Sequence, residues 1–241
     1  MIQFYAPDIE RSLTLPESDS AHCVRVLRMR EGDTLEVIDG LGHAFTCRLV
    51  AAHPKHASVT IIARRDMRLN WSQHITVGVA PTKHLDRMEW MTEKLTEIGV
   101  NSIVPLRCDR SERKGLKTER LRKIAVSAMK QSLKAVLPNI SEMTPLSEYL
   151  RNCRTSQRFI AYCDPSIPRR SLASLYRPEI DTAVIIGPEG DFSPDEIRLA
   201  LDLGWQPVTL GPERLRTETA AIVAADTFHI IDQYANSHSN G

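Results

Sequence analysis

The sequence lacks most features that identify a protein at a glance. Net charge is nearly absent: 31 Lys and Arg stand against 30 Asp and Glu, a formal +1. The chain as a whole therefore carries no electrostatic label. There are five cysteines, Cys23, Cys47, Cys108, Cys153 and Cys163, an odd number with no Cys-x-x-Cys pair. That argues against a disulfide framework and against a zinc site, so reduced thiols and no metal are expected. No run approaches the ~20 apolar residues of a membrane span. Met1 to Arg11 lacks the apolar segment of a signal peptide. A soluble, cytoplasmic protein with no membrane partner is expected. Phosphate loops are missing too. There is no Gly-x-x-x-x-Gly-Lys-Ser/Thr, and Gly40-Leu41-Gly42 does not continue into Gly-x-Gly-x-x-Gly.

What is present is a patterned chain of 241 residues, 42% hydrophobic, long enough for two domains. Charge is unevenly distributed. Residues 1–70 hold nine basic and nine acidic residues, 83–134 hold thirteen and seven (net +6), and 135–241 hold nine and fourteen (net −5). A basic middle suits one surface that meets a polyanion, although charge runs often form only a solvated face. The first seventy residues predict a short helix over Asp19–Arg28, capped by Ser18 or Asp19, with Val24 and Leu27 inward. Strands over Thr34–Ile38, Ala44–Ala51 and Ser58–Ala63 follow, the first two joined by the turn Asp39-Gly40-Leu41-Gly42. Short strands at close spacing suggest a small barrel.

From residue 74 onward, strands and helices alternate. Strands are expected at 74–80, 102–106, 158–163, 182–186 and 207–210. Helices are expected over Leu85–Ile98 with Gly99 as the stop, over 118–134, from Thr144-Pro145, over 194–203 and over about 220–234. That alternation predicts an α/β layer on a largely parallel sheet, with the domain boundary near 68–74. Two loops stand out. Ile186-Gly187-Pro188-Glu189-Gly190-Asp191-Phe192-Ser193 leaves a strand and enters a helix whose start has Ser193 as cap, Pro194 at the first position and Glu196 completing a capping box. Gly187 and Gly190 would let the backbone approach a ligand or adopt positive φ. Leu210-Gly211-Pro212-Glu213-Arg214-Leu215-Arg216-Thr217 does the same one helix and one strand later, with Thr217 as cap. In a parallel sheet both would open at the carboxyl edge, where α/β proteins bind ligands. Either loop alone would more often be a plain connection.

The two loops together, continuing through Glu218-Thr219-Ala220, resemble the signature of the bacterial 16S rRNA uridine-N3 methyltransferases of the SPOUT superfamily. The run His22-Cys23-Val24-Arg25-Val26-Leu27-Arg28 is similar to that family's N-terminal element. Lys83, Glu89, Lys94, Glu97, Gly99, Val100, Pro105, Arg110 and Ser111, then Gln131-Ser132 and Leu137-Pro138, fit its pattern in order. The resemblance spans about Phe4 to Ile231. It implies a PUA-like β-barrel RNA-binding domain over 1–70 and an α/β SPOUT methyltransferase domain with a deep trefoil knot over 73–236. It further implies a homodimer that uses S-adenosyl-L-methionine (SAM) and acts on 16S rRNA in the 30S ribosomal subunit. Cofactor contacts would come from Ala161, from Gly187, Pro188, Glu189 and Gly190, and from Leu210, Gly211, Leu215, Arg216 and Thr219. The chain departs from the pattern at Asp191, where a second Gly is expected, and at Lys130 and Lys134, where many relatives carry Glu and Arg.

Methylation at N3 requires loss of a proton and stabilisation of charge on the uracil oxygens. Arg216 is the expected stabiliser; Glu189 and Glu218 are both candidate bases, with Glu218 the expected second catalytic residue, although a carboxylate at a helix start more often caps or neutralises. RNA contacts are expected from Arg25, Arg28, Arg110, Arg113, Lys114, Arg120 and Lys123. The small apolar run Ala220–Ala225 is the expected dimer contact. A non-catalytic ribosome-assembly factor that binds RNA, and a SPOUT enzyme with another RNA target, are the alternatives.

Overall fold

The computed structural model describes residues 2–163 and 168–238. The chain forms two compact units, Met1–Asn70 with Val126–Leu137, and Trp71–Ala125 with Pro138–Gly241.

In the first unit, β1 (Gln3–Tyr5) is followed by α1 (Ile9–Ser12), α2 (Glu17–Ala21) and a π-helical turn over His22–Val26. Then come β2 (Thr34–Ile38), β3 (His43–Ala51) and β4 (Ser58–Asp66). The sheet order is β1-β2-β3-β4, with β1 parallel to β2 and the rest antiparallel. Beyond β4 the Leu15 N–H donates to Ala57 O and the Val59 N–H to Leu13 O. Residues 3–15 thus touch both edges of the sheet. The helix starts earlier than expected. Pro16 precedes it, and Ser18 and Asp19 lie in its first turns rather than at its cap. The wider π turn shifts the buried stripe, so Cys23 is fully buried while Val24 and Leu27 pack at the margin of the core.

Residues 126–137 join this unit for a packing reason. Met129 and Ala135 are buried against Ile38 and Ala44, with Tyr5, Met67 and Leu137 alongside. The Gly42 N–H donates to Ala135 O and the Leu137 N–H to Gly40 O, both at 2.8 Å. Gly40 and Gly42 have φ of 79° and 100°, which a side chain would resist. Lys130 pairs with the carboxylate of Asp19, which accounts for a lysine at that position.

The second unit carries β5 (Ile75–Val79), α3 (Leu85–Ile98), β6 (Ser102–Arg107), α4 (Thr118–Gln131, whose last turns belong to the first unit), β7 (Asn139–Ile140), β8 (Thr144–Pro145) and α5 (Leu146–Asn152). It continues through β9 (Gln157–Ala161), β10 (Arg170–Ser171), α6 (Leu172–Leu175), β11 (Thr182–Ile186), α7 (Pro194–Asp202), β12 (Gln206–Thr209) and α8 (Thr217–His238). The sheet runs β10-β12-β9-β11-β5-β6-β7, and every pairing is parallel. Its central strands β5 and β11 are buried at every residue, as helices on both faces require.

α3 buries Met88, Met91 and Leu95 and ends where Gly99 turns to φ 108°. α4 stops three residues short of the expected 134, because Leu133 adopts φ 55°. α8 begins three residues before the expected 220. It buries Ala220, Ala221, Ala224, Ala225 and Phe228 within the subunit, while Ile222 and Val223 of the same run are half-buried. Among the described residues, no helix is long and apolar enough to cross a membrane.

Candidate functional site

The site follows from the strand order. After β9 the chain forms the edge strand β10, enters β11 on the other side of β9, then crosses back to β12 between β10 and β9. The two loops leaving β11 and β12 therefore flank the carboxyl end of β9. A crevice at such a reversal is where open parallel sheets take ligands. A cavity of about 520 Å³ lies there. Ala161, Ile186 and Val208 at the strand ends line it, with Gly187, Pro188, Glu189 and Asp191 of the first loop. Thr209, Leu210, Gly211, Pro212, Glu213, Arg214, Leu215, Arg216 and Thr217 of the second loop, and Ala220, complete most of the wall. Tyr162, Cys163 and Arg169 close the remaining side.

The first loop is held at almost every residue. The buried Thr217 hydroxyl donates to Gly187 O (3.0 Å), so this threonine ties the two loops together instead of capping α8. The Lys83 N–H donates to Glu189 Oε1 (3.1 Å). Arg110 Nη1 donates to the carbonyls of Gly190 (3.1 Å) and Phe192 (3.2 Å). Ser193 and Glu196 form the expected capping box, and Glu196 Oε1 also accepts from the Asp109 N–H (2.8 Å). Gly187 sits in a crowded place: a Cβ there would be 3.2 Å from the Phe192 ring, so the ring would have to give by a few tenths of an ångström. Positive φ falls on Asp191 (61°) and Gly211 (140°) and not on Gly187 or Gly190.

Of the residues expected to bind cofactor, Ala161, Gly187, Pro188, Glu189, Leu210, Gly211, Leu215 and Arg216 line the cavity. Gly190 and Thr219 do not, nor does Glu218, the expected second catalytic residue. Gly190 turns its carbonyl to Arg110. On α8 the cavity is met by Thr217 and Ala220, three residues apart, so Glu218 and Thr219 fall on other faces of the helix. Glu218 is buried, with Arg87 Nε 3.7 Å from its Oε1. Arg169 also lines the cavity and was not singled out in the sequence, because it sits in neither of the two loops. Among the described residues, three cations (Arg169, Arg214, Arg216) and three carboxylates (Glu189, Asp191, Glu213) line the cavity, so both signs of charge are at hand for a ligand carrying both. Among the described residues, Glu213, Arg214 and Arg216 have no side-chain partner.

The residues expected to touch RNA divide in two. Arg110 clamps the first loop, Arg113 donates to Thr82 O and Lys83 O, and Arg120 pairs with Glu89. Arg25, Arg28, Lys114 and Lys123 are exposed and unpartnered among the described residues.

The parallel sheet and its cavity define an α/β protein with a small-molecule site at a strand-order reversal. Residues 69–229 match the model of an RNA methyltransferase domain, and residues 15–62 that of an RNA methyltransferase PUA domain. The chain belongs to the RNA methyltransferase family. A structure from Porphyromonas gingivalis, described as a probable rRNA methyltransferase, is 43% identical, with a TM-score of 0.92 over 98% of this chain and 100% of that one. A ribosomal RNA small subunit methyltransferase E from Neisseria gonorrhoeae, bound to S-adenosyl methionine, is 28% identical, with a TM-score of 0.83 over 96% and 98% of the two chains. The ribosomal RNA small subunit methyltransferase E of Buchnera aphidicola is 28% identical over 90% of this chain and 87% of its own.

Proposed function

We propose that this protein is a cytoplasmic, SAM-dependent methyltransferase that modifies N3 of one uridine in the 16S rRNA of the 30S subunit. In this reading the first unit binds RNA, the second is a SPOUT domain with a trefoil knot at its C-terminal end, and the active form is a homodimer. The observation that carries the proposal is the cavity between the two loops. Its ~520 Å³ is within the range of small-molecule sites. Its described lining carries both signs of charge, as SAM does. The Neisseria relative holds that cofactor in the same fold.

When bound, SAM supplies an electrophilic methyl group. The backbone of Gly187–Glu189 and Leu210–Leu215 would hold it, with Ala161, Ile186 and Val208 as apolar walls. The remaining work belongs to side chains. Holding acceptor and donor at attack distance accounts for much of the rate in such transfers. The ties from Thr217, Lys83 and Arg110 supply that rigidity. Arg216, exposed on the cavity wall and without a side-chain partner among the described residues, would stabilise negative charge on the uracil oxygens. Among the described carboxylates of the cavity, Asp191 accepts from Cys163 and Phe192, and Glu213, without a partner, would take the N3 proton. Glu189 already accepts from Lys83, and Glu218 lies outside the cavity.

The test is methylation of 30S particles that lack the modification. With SAM, a reverse-transcriptase stop should appear at one uridine, because an N3 methyl removes the pairing donor. A ribose methyl in its place would overturn the N3 assignment. RNA binding without methyl transfer would favour the assembly factor.

A further inference from the structure

We propose that Asp191 is a positioning residue for the cofactor pocket, its carboxylate latching the end of β9 to the loop after β11. The inference rests on the reading that this cavity receives SAM. The β9–β11 ladder ends at the pair Ile186 and Ala161. Cys163 lies two residues beyond it, where its N–H has no strand partner. Asp191 Oδ2 accepts that N–H at 2.8 Å across 28 residues of sequence, and Oδ1 accepts the Phe192 N–H at 2.9 Å. The carboxylate therefore carries the connection between the two strands past the end of their ladder. Both Asp191 and Cys163 line the cavity. Asp191 Oδ1 also lies 3.3 Å from where a Cβ on Gly187 would be, filling the crease beside the glycine.

The backbone makes the choice of residue informative. Asp191 holds φ 61°, a left-handed conformation that glycine adopts without strain, that Asp and Asn tolerate at a small cost, and that most other residues resist. A glycine here would relieve the backbone but would provide no acceptor for Cys163. The chain keeps the strained residue and gains the latch, a pattern that marks a position over-determined by its surroundings. A wall ordered before the ligand arrives lowers the ordering cost on binding. Asp191 should therefore act on affinity for SAM and leave the chemical step alone.

The test compares Asp191→Gly and Asp191→Asn with the wild type by two readouts. The first is hydrogen exchange of the Cys163 amide in the ligand-free protein, read by NMR. The second is SAM affinity by titration, with KM for SAM and kcat. Asp191→Gly should speed exchange at Cys163 and weaken SAM binding by about three- to tenfold, the range for one hydrogen bond, with kcat at saturating SAM within about twofold. Asp191→Asn keeps a carbonyl acceptor and tolerates the left-handed backbone, so it should retain most of the protection and affinity. Wild-type exchange and affinity in Asp191→Gly would overturn the latch. So would an Asn variant that behaves like the Gly variant, or a fall in kcat at unchanged KM. If the wild type bound no SAM, the cofactor reading would fail, and the exchange measurement alone would still decide whether the latch exists.

Discussion

Asp232 of α8 is 4% exposed, and its carboxylate accepts from the Tyr176 hydroxyl (2.9 Å) and from Gln73 Nε2 (2.6 Å). Burial raises its pKa above the ordinary value; the two hydrogen bonds pull the other way without cancelling it. The Tyr176 phenol is pushed up as well, mainly by burial. A carboxyl whose folded pKa exceeds its unfolded one contributes stability at low pH, and that contribution is lost as pH rises through the folded pKa. Urea midpoints of the wild type should therefore fall relative to Asp232→Asn as pH climbs from about 4, and a constant difference would show that burial does not dominate. Arg216 is a different case, since its side chain has no partner among the described residues. Its carbonyl accepts from the Ala220 N–H, and the neighbouring Thr217 holds the loop, so truncation leaves the backbone in place. Arg216→Ala should lower kcat by about 10²–10³, the cost of one electrostatic donor, while SAM still raises the melting temperature. Weakened SAM affinity with normal turnover would assign the guanidinium to the cofactor instead.

At the scale of elements, local rules carried the reading far. The Met88, Met91, Leu95 spacing and Gly99 gave α3, and Ser193-Pro194 with Glu196 gave the start of α7. Both ligand loops were legible as strand-to-helix turns. The failures have a common physical cause, because they depend on partners distant in sequence. The π turn at His22–Val26 and the two-residue strands β7, β8 and β10 have no period of their own to read. Nothing near Arg110 or Arg113 reveals that their guanidinium groups clamp carbonyls 80 and 31 residues away. The basic run alone does not tell which of its cations already have partners within the subunit. Arg120 is matched by Glu89, whereas Lys114 and Lys123 are exposed without partners. Reversing Lys114 and Lys123 to Glu should weaken RNA binding and flatten its salt dependence by roughly 0.7–0.9 in log–log slope for each phosphate no longer neutralised. Arg120→Ala should change that slope less. An equal effect from all three would mean that the Glu89 pair opens on binding.

For the whole molecule, the alanines in the small apolar run of α8 are buried within the subunit, so the proposed dimer needs other side chains. The two helices α3 and α8, which pack against each other, still expose large apolar side chains. Leu85 and Trp90 on α3 are 37% and 46% exposed, and Ile230 on α8 is 56% exposed. Exposed aliphatic residues are common on any surface, but a large aromatic left half out of the core is typical of an interface anchor. Local periodicity could not separate these faces, since one helix presents an internal stripe and an external one in the same few turns. If the outer face joins two copies, the wild type should scatter light as twice the 27.1 kDa chain mass at micromolar concentration. Trp90→Glu combined with Ile230→Glu would place carboxylates without partners in the interface of each copy. Truncated anchors alone often cost about 2 kcal/mol or more, and a desolvated charge adds to that. The dissociation constant should rise by at least about 10²-fold, giving a monomer. Both side chains are solvent-exposed in the single chain, so the double variant should keep its urea midpoint at concentrations where it is monomeric. A variant that stays dimeric would move the interface elsewhere. A monomer that still methylates 30S particles at the wild-type rate would separate assembly from activity.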